Sequence, residues 1–328
     1  MGYELAGSRV LITGGAGFIG SHIADALIDE RVDEIIVLDN LVRGRVENLD
    51  EARSRGNITF VEGSICDRDL VKQCMQGVDY VYHEAALRIT HCAAEPREAH
   101  AVMFDGAFNV FEAAVEAGVK KLVTASSASV YGEPSYLPID EDHPYSNRTL
   151  YGAGKIANEH VLRSLNDMFG LPYLALRYFN AYGPRMDIHG VYTEVMIRWM
   201  DRIDQGLPPL IFGDGLQSMD FVYVKDIARA NIAAMKSDAS DEALNVASGT
   251  QTTLNELSEM LCQIMGRPEL RAEHREERKV NPVRHRLAST ARACERIGFS
   301  TTVDIRDGLR ELVAWRRAAV RELAGVTA

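Results

Sequence analysis

The sequence lacks the features that mark secreted and membrane proteins. No apolar run is long enough to cross a bilayer, and the first residues show neither a basic-then-apolar signal nor the small hydroxyl residue that myristoylation requires at Ala6. Cysteines are few and scattered, without a Cys-x-x-Cys pair: Cys66, Cys74, Cys92, Cys262 and Cys294. An odd number of unclustered cysteines favours free thiols in a reducing compartment, so we expect a cytoplasmic protein.

Basic residues are also in deficit. Lysine and arginine number 36 against 47 aspartates and glutamates, a net charge of −11 that would repel a nucleic-acid backbone. The nine histidines show no His-Glu-x-x-His spacing and no grouping with cysteine, so no metal site is expected. The remaining composition, 46% hydrophobic and 25% charged residues in a chain of 328, is typical of a globular protein of about two domains.

Short apolar, β-branched runs alternate with helical patterns over the first half of the chain. This alternation predicts right-handed β-α-β units and a parallel sheet covered by helices on both faces, a doubly wound α/β fold. The predicted strands are Arg9–Thr13, Glu34–Leu38, Ile58–Glu62, Tyr80–His83, Lys121–Ser126 and Tyr173–Arg177. The predicted helices lie near Ile19–Glu30, Asp69–Met75, His100–Ala117 and Leu150–Phe169.

The alternation ends after Arg177. The later segments predict a helix near Thr193–Gln205, a strand pair with a helix near Pro209–Lys236, and an amphipathic helix near Asp304–Leu323. We therefore predict a first domain over residues 1–178, joined by 220–250, and a smaller C-terminal α/β lobe over 179–219 and 251–328 that binds substrate.

A glycine loop directly follows the first predicted strand. Gly14, Gly17 and Gly20 have the spacing that lets a strand turn tightly into a helix, brings backbone close to a pyrophosphate, and packs helix against strand. A plain turn would explain the glycines alone. However, the second strand ends at Asp39 about 20 residues further on, where a carboxylate binds the adenosine ribose of NAD and repels the 2′-phosphate of NADP. The sequence therefore predicts a Rossmann-type NAD site.

A second motif combines a tyrosine, a lysine and a serine cluster. Tyr151 and Lys155 are four residues apart, so they emerge on one face of a predicted helix. A neighbouring ammonium and a cationic nicotinamide are suitable to lower the pKa of a phenol from about 10 towards neutrality. The hydroxyls of Ser126–Ser129 follow a central strand, at the sheet edge where open α/β sheets bind ligands. Together these groups predict acid/base chemistry.

These motifs resemble the extended short-chain dehydrogenase/reductases, and within them the UDP-hexose 4-epimerases. The similarity covers nearly the whole chain, at Thr13–Gly20, Asp39-Asn40, His83–Ala86, Ser126–Gly132, Tyr151–Lys155, Arg177–Pro184, Ile211–Gly213 and Asp220–Asp226. The resemblance implies an enzyme that epimerises UDP-glucose/galactose or UDP-glucuronate/galacturonate at C4, by transient oxidation to a 4-keto sugar with tightly bound NAD.

The resemblance also implies site residues. Tyr151 would be the base, Lys155 its tuner and ribose anchor, and Ser127 the hydroxyl that assists proton transfer. Further cofactor contacts would come from Phe18, Ile19, Asn40, Ile65, Ala85, Ala86 and Tyr178, beside Gly14, Gly17, Gly20 and Asp39. Substrate contacts would come from Arg88, Ser126, Ser127, Asn180, Arg185, Thr193, Phe212 and Arg284.

Other activities of the same family remain alternatives. A nucleotide-sugar 4,6-dehydratase has an Asp-Glu pair where this chain has Ala128 and Ser129, and a decarboxylase usually keeps the glutamate. Neither residue here can supply that proton chemistry at neutral pH. A protein of another class, a catalytically silent NAD-binding regulator, would have no physical need for Ser127, Tyr151 and Lys155 together.

Departures from the family pattern leave the sugar open. Met219 occupies the place of an arginine that usually holds a phosphate, and Arg284 or Arg286 are the candidates to replace it. Met103 and Ser64 also differ from the common asparagine and aspartate. A guanidinium among Arg88, His91, Arg185 and His189 could pair with a C6 carboxylate, which would favour UDP-glucuronate.

Two predicted helices carry apolar stripes, Phe104/Phe108/Phe111/Val115 and Ile156/Leu162/Leu165. Packing against the sheet explains part of each stripe. In the family that the chain resembles, such helices pair across a two-fold axis as a four-helix bundle, so a homodimer is expected.

Overall fold

A computed structural model describes residues 2–188, 194–276, 283–323 and 325. The strands are β1 (Arg9–Thr13), β2 (Glu34–Asp39), β3 (Ile58–Glu62), β4 (Tyr80–His83), β5 (Lys121–Ser127), β6 (Tyr173–Tyr178), β7 (Asn180–Tyr182), β8 (Leu210–Phe212), β9 (Ser218–Met219), β10 (Phe221–Tyr223), β11 (Glu242–Val246), β12 (Thr252–Thr253) and β13 (Glu273–Arg275). The helices are α1 (Phe18–Asp29), α2 (Asp50–Arg55), α3 (Arg68–Cys74), α4 (Ile89–Ala94), α5 (Pro96–His100), α6 (Ala107–Ala117), α7 (Leu150–Phe169), α8 (Val195–Asp204), α9 (Val224–Lys236), α10 (Leu254–Ile264), α11 (Ala291–Ile297) and α12 (Ile305–Leu323).

Seven parallel strands form the central sheet, in the order β11-β6-β5-β4-β1-β2-β3. The chain starts at β1, builds outward to β3 and then returns to β4 on the other side of β1. This reversal leaves a crevice at the carboxyl ends of β1 and β4, where doubly wound folds bind ligands. The predicted Rossmann-type sheet is confirmed, and β11, from the 220–250 stretch, is its seventh strand.

Both faces of the sheet are buried. Val10 and Ile12 of β1 belong to an apolar cluster shared with α1 and α9, whereas Leu11 between them belongs to a second cluster shared with α6 and α7. Successive side chains of a strand point to opposite faces, so a continuous apolar run is required when helices cover both. This requirement explains why β1 and β2 contain unbroken runs of valine, isoleucine and leucine.

The later segments form a smaller lobe around α8, α10 and α12. Their apolar faces meet in a cluster that includes Trp199, Leu261 and Leu312. The strand pair expected near Pro209–Lys236 is wrong in its partners, because β8 pairs with β13, β9 with β12, and β10 with β7. Local sequence identifies strands of two or three residues, but their partners depend on how distant segments pack.

The helix predicted over His100–Ala117 is interrupted. Residues Ala101–Gly106 form a π-helical turn, and α6 starts only at Ala107. A Cβ on Gly106 would lie 2.8 Å from Cγ1 of Ile65, so only glycine lets this turn approach Ile65 so closely. The other predicted helices agree with the structure within about two residues, the usual uncertainty of helix ends.

All five cysteines are free thiols, as predicted. Among the described residues, no helix combines the length and apolarity needed to cross a bilayer. The domain boundaries and the cytoplasmic location stay predictions.

Candidate active site

The glycine loop shapes one end of a cavity at the carboxyl ends of the strands. Gly14 has a φ of +72°, and a Cβ there would lie 2.6 Å from the backbone nitrogen of Ala85. A Cβ on Gly20 would lie 2.5 Å from the Gly14 oxygen, whereas one on Gly17 would meet only that oxygen, at 3.0 Å. Gly14 and Gly20 are thus required by close packing, and the chain at Gly17 borders open space.

This strand-end cavity has a volume of about 240 Å³. Its lining includes every residue predicted to contact the cofactor, namely Gly14, Gly17, Phe18, Ile19, Gly20, Asp39, Asn40, Ile65, Ala85, Ala86, Tyr151, Lys155 and Tyr178. Because α1 begins at Phe18, its positive N-terminal end borders the cavity and is suited to bind an anion.

Asp39 lies at the end of β2 and on the wall of the same cavity. Its carboxylate accepts hydrogen bonds from the backbone N–H groups of Ala16 (3.0 Å) and Leu41 (2.9 Å). Burial raises the pKa of Asp39, and these two donors oppose the increase. A Cβ on Gly44 would lie 2.7 Å from the carboxylate, so this side of Asp39 is enclosed by backbone. The carboxylate is therefore held in one orientation beside the cavity.

The tyrosine and the lysine extend from the start of α7. The helix is capped by Thr149, whose hydroxyl accepts a hydrogen bond from the backbone N–H of Gly152 at 3.0 Å. Lys155 is buried, and its Nζ atom donates a hydrogen bond of 2.6 Å to the carbonyl oxygen of Ala125. The same Nζ lies 5.8 Å from the centre of the Tyr151 ring. Tyr151 and Lys155 therefore lie on one face of α7, as predicted.

The protein environment alone does not lower the pKa of Tyr151. Burial raises this pKa, and Cys92 and Glu84 add to the increase, whereas a hydrogen bond with Ser127 and the charge of Arg88 oppose it. Burial also lowers the pKa of Lys155, against the attraction of Glu84. The acidity expected of Tyr151 thus needs a further positive charge in the cavity.

Ser126 and Ser127 have different surroundings. The Ser127 hydroxyl accepts a hydrogen bond from the backbone N–H of Ser129 at 3.1 Å and interacts with Tyr151. Ser126 is buried and donates to the carboxylate of Glu159, which also forms an ion pair of 2.7 Å with Arg177. The Ser126 side chain is therefore part of a buried structural network, although the residue borders the strand-end cavity. Its substrate contact stays a prediction.

A second cavity, which we call the lobe cavity, lies between the 86–90 segment and the smaller lobe. It has a volume of about 660 Å³, and its walls include Phe212, Trp199 and Arg88. Tyr151 borders both cavities. A group bound in the strand-end cavity and another in the lobe cavity would therefore meet at this phenol.

Two ion pairs connect the walls of these cavities. Arg88 pairs with Glu194 at the start of the smaller lobe, at 2.9 Å. Arg43, in the loop after β2, pairs with Asp187 at the same distance, 2.9 Å, and both residues line the strand-end cavity. These pairs join the two parts of the chain on either side of the cleft.

Several predicted substrate residues lie elsewhere or are engaged with protein groups. The Asn180 amide donates to the backbone oxygen of Asp220 at 2.9 Å. Arg185 borders the strand-end cavity but pairs with Asp25 at 2.6 Å, and Arg284 pairs with Asp214 on the surface. Arg284 does not line either cavity. Thr193 and His189 lie outside the described residues.

The sequence predicts no role for Glu84, and it offers Arg286 only as an alternative to Arg284 for holding a phosphate. Glu84 lines the strand-end cavity together with Lys155 and belongs to the His83–Ala86 part of the family pattern. Partial burial lowers the pKa of Arg286, and its Nε atom has no hydrogen-bond partner within the described ranges. No spacing rule singles out either residue. Within the described ranges, His, Cys, Asp and Glu side chains form no cluster suited to a metal ion.

Comparisons with known proteins agree with this geometry. A sequence model of the NAD dependent epimerase/dehydratase family matches residues 10–247. A putative UDP-glucose 4-epimerase of Methanocaldococcus jannaschii is 35% identical over 311 residues, which cover 94% of this chain and 98% of the relative. A UDP-N-acetyl-alpha-D-glucosaminuronate decarboxylase of Bacillus cytotoxicus is 33% identical over 324 residues, with the same coverage of 94% and 98%.

A solved structure is similar along the whole chain. It is the UDP-N-acetylglucosamine 4-epimerase from Methanobrevibacter ruminantium M1 in complex with UDP-N-acetylmuramic acid, with a TM-score of 0.90 and 36% identity, covering 96% of this chain and 99% of that one. The relatives include 4-epimerases and a decarboxylase, so similarity alone does not select one reaction. The glycine loop, the Tyr151–Lys155 pair and the match along the chain all lead to one conclusion: the chain belongs to the NAD dependent epimerase/dehydratase family.

Proposed function

We propose that the protein is an NAD-dependent 4-epimerase of a UDP-sugar. The observation that carries this proposal is the position of Tyr151, which borders both cavities and has Lys155 and Ser127 beside it. This is the arrangement needed to exchange a proton with a sugar hydroxyl next to a bound nicotinamide.

The strand-end cavity fits NAD. The open space at Gly17 and the start of α1 suit the pyrophosphate, and the fixed carboxylate of Asp39 suits two ribose hydroxyls. A 2′-phosphate would lie against that carboxylate, which supports NAD over NADP. When bound, the nicotinamide supplies hydride transfer at the C4 carbon of the sugar, and its positive charge favours the phenolate of Tyr151.

The residues of the chain would divide the proton chemistry. Tyr151 takes the proton of the sugar O4 hydroxyl and returns it after the ring has turned over. Ser127 shares that proton by hydrogen bonding, and Lys155 stabilises the phenolate by its charge. Because the hydride leaves C4 and comes back to C4, the reaction has no net redox change.

The relatives also support a dehydratase or a decarboxylase as alternatives. Such reactions need a further acid or base near the sugar. In this chain Ala128 and Ser129 occupy the positions that follow Ser127, and neither side chain is ionised at neutral pH. A silent NAD-binding regulator is a second alternative. Such a protein would not need Lys155 and Ser127 beside the phenol of Tyr151. Epimerisation requires no other residue and is therefore favoured.

The sugar nucleotide would lie in the lobe cavity. Phe212 and Trp199 offer apolar surface there, and Arg88 offers a guanidinium near Tyr151. Arg284 and Arg286 line neither the strand-end cavity nor the lobe cavity, but for the diphosphate we favour Arg286. Arg284 already pairs with Asp214, whereas the Nε atom of Arg286 has no hydrogen-bond partner among the described residues. Both UDP-glucose and UDP-glucuronate remain candidates, and a C6 carboxylate would have to compete with Glu194 for Arg88.

A substrate panel tests the proposal. The protein, loaded with NAD, is incubated separately with UDP-glucose, UDP-N-acetylglucosamine and UDP-glucuronate, and the proton NMR signals of the sugar ring are followed. A 4-epimerase inverts C4 of at least one sugar and retains every atom. Loss of water would indicate a dehydratase, loss of carbon dioxide a decarboxylase, and unchanged sugars a regulator.

We also propose a homodimer. Phe108 of α6 and Met168 and Phe169 at the end of α7 are exposed by 44%, 67% and 59% and line one apolar groove. Exposed apolar side chains grouped on two adjacent helices are typical of an interface. Their position on α6 and α7 supports pairing through a four-helix bundle, as expected from the sequence.

A further inference from the structure

A polar cluster of Glu84, Tyr178 and Asn231 lies next to the strand-end cavity; Tyr178 and Asn231 are buried, and Glu84 is half-buried. Glu84 follows β4, and its carboxylate accepts a hydrogen bond from the Tyr178 hydroxyl at 3.0 Å. The Asn231 amide donates to the same hydroxyl at 2.8 Å. These contacts fix the side chain of Glu84. Both Glu84 and Lys155 line the strand-end cavity.

The sheet register places Glu84 close to the lysine. His83 pairs with Thr124 across β4 and β5, so Glu84 lies beside Ala125, the next residue of β5. The carbonyl oxygen of Ala125 accepts the hydrogen bond from the Nζ atom of Lys155. The carboxyl group of Glu84 and the ammonium of Lys155 are thus both placed near Ala125, at the end of β5, without an ion pair of 4.0 Å or less between them.

The two groups also influence each other electrostatically. Burial raises the pKa of Glu84, and the ammonium of Lys155 is the largest influence against that increase, followed by the Tyr178 hydrogen bond. Burial lowers the pKa of Lys155, and Glu84 is the largest influence that opposes it, ahead of Cys92 and Glu159. Each group therefore stabilises the charged form of the other.

We propose that Glu84 is a positioning residue that keeps Lys155 charged and thereby sets the pH range in which Tyr151 exchanges a proton. This inference rests on the proposed roles of Tyr151 and Lys155. It assigns to this half-buried carboxylate a task that neither the cofactor fingerprint nor the Tyr-Lys spacing indicates.

Removing the charge of Glu84 should lower both the pKa of Lys155 and the pKa of Tyr151. Without the carboxylate, Lys155 loses its proton at a lower pH, so activity falls earlier on the alkaline side. The same carboxylate raises the pKa of Tyr151, together with Cys92 and against Ser127 and Arg88. Without Glu84 the phenol therefore ionises at a lower pH, and the acid side of the profile also moves down.

The test uses Glu84→Gln in the NAD-loaded protein. The ultraviolet absorbance of tyrosinate is recorded against pH, and the same titration of Tyr151→Phe is subtracted to isolate Tyr151. A neighbouring charge shifts a pKa by about one unit or more, so the Tyr151 transition and both limbs of the kcat profile should move down by about one pH unit. Glu84→Asp, which keeps the charge, should restore most of the original profile.

The control is Glu141→Gln, which neutralises a buried carboxyl outside both cavities. It should leave the Tyr151 titration unchanged. If Glu84→Gln does not fold, Tyr178→Phe removes the hydrogen bond to Glu84 and should give a smaller shift in the same direction. A lower kcat with unshifted titration would overturn the proposal and leave Glu84 a purely structural group.

The absorbance titration needs no substrate. It therefore reports on Glu84 even if every sugar of the panel is left unchanged. Conversely, inversion of C4 by a protein whose Glu84→Gln variant titrates normally would support the proposed function and refute this inference.

Discussion

Lys155 holds its Nζ atom 5.8 Å from the centre of the Tyr151 ring, one turn further along α7. The ammonium is fixed from the other side by the carbonyl oxygen of Ala125, at 2.6 Å. A charge held at this distance acts on the phenol by electrostatics and does not occupy the hydroxyl group with a hydrogen bond. The hydroxyl of Tyr151 stays available to the sugar that we propose for the lobe cavity.

Replacing Tyr151 with phenylalanine removes the proposed proton acceptor and leaves the ring in place. We expect bound NAD to be retained and kcat to fall at least about a hundredfold, the scale of lost acid/base catalysis. Turnover by NMR and the cofactor content of the purified protein are the measurements. Tyr136→Phe, at an exposed tyrosine outside both cavities, is the matched control. Near-normal turnover of Tyr151→Phe would refute the assignment.

Asp39→Asn keeps the shape of the side chain and removes its charge. NAD should bind about tenfold more weakly, because a hydrogen bond to a charged acceptor contributes about 1.5 kcal/mol or more. NADP should be discriminated against less strongly, since the repulsion of its 2′-phosphate is gone. Titration calorimetry with both cofactors measures the ratio, and Asp33→Asn, at an exposed carboxylate before β2, is the control. An unchanged ratio would contradict the role of Asp39.

Gly14→Ala and Gly118→Ala separate backbone strain from close contact. Both glycines have positive φ, +72° and +66°, but a Cβ on Gly118 meets nothing within 4 Å. We expect Gly118→Ala to lower the free energy of unfolding by about 1 to 2 kcal/mol, because alanine is strained in the left-handed backbone conformation. Gly14→Ala should lose at least about 1 kcal/mol more, from overlap with Ala85. Equal losses in denaturant titrations would show that the loop can move away.

The pattern of the sequence accounts for the sheet and the cofactor cavity because both depend on local features. Unbroken apolar runs specify strands covered on both faces, and Gly20 is required by contacts with Gly14 and Gly15 in the same turn. The place of Asp39 follows from the end of β2. Such features are contained in a short window of sequence.

The substrate side was less predictable because it depends on long-range packing. Nothing near Arg88 in the sequence indicates that Glu194 will pair with it, and Arg185 was expected at the sugar but pairs with Asp25. Likewise, the short strands of the smaller lobe find partners far along the chain. The importance of Glu84 appears only when β4 and β5 are aligned in the sheet.

The proposed dimer can be disrupted at its apolar groove. Phe108→Glu, alone or with Met168→Glu, would place carboxylates in the predicted bundle, and we expect a monomer by light scattering. Leu207→Glu changes an equally exposed side chain, 43% against 44% for Phe108, and should not alter the mass. A wild-type mass that matches one chain would contradict the dimer itself.

Acid should destabilise the fold through His83. Burial lowers the pKa of this histidine to about 3, and its Nδ1 atom lies 2.8 Å from the Thr13 hydroxyl. An unfolded histidine titrates near pH 6.5. Because the unfolded chain takes up the proton first, His83 contributes full stability above about pH 6.5 and loses it as the pH falls towards about 3.

Replacing this histidine should flatten the acid dependence. In His83→Gln the unfolding free energy should fall less steeply between about pH 6.5 and 4 than in the wild type. Denaturant titrations at several pH values give the slope, and His100→Gln, at an exposed position, is the control. An identical slope in His83→Gln and the wild type would show that this group does not govern the acid response.

The fate of the hydrogen on C4 tests the proposed reaction most directly. UDP-sugar that carries deuterium at C4 is converted by the NAD-loaded protein in ordinary water, and the inverted sugar is examined by NMR and mass spectrometry. We predict inverted C4 with its deuterium retained. Inversion with loss of the deuterium to solvent, or a product in which C4 is never inverted, would contradict the account.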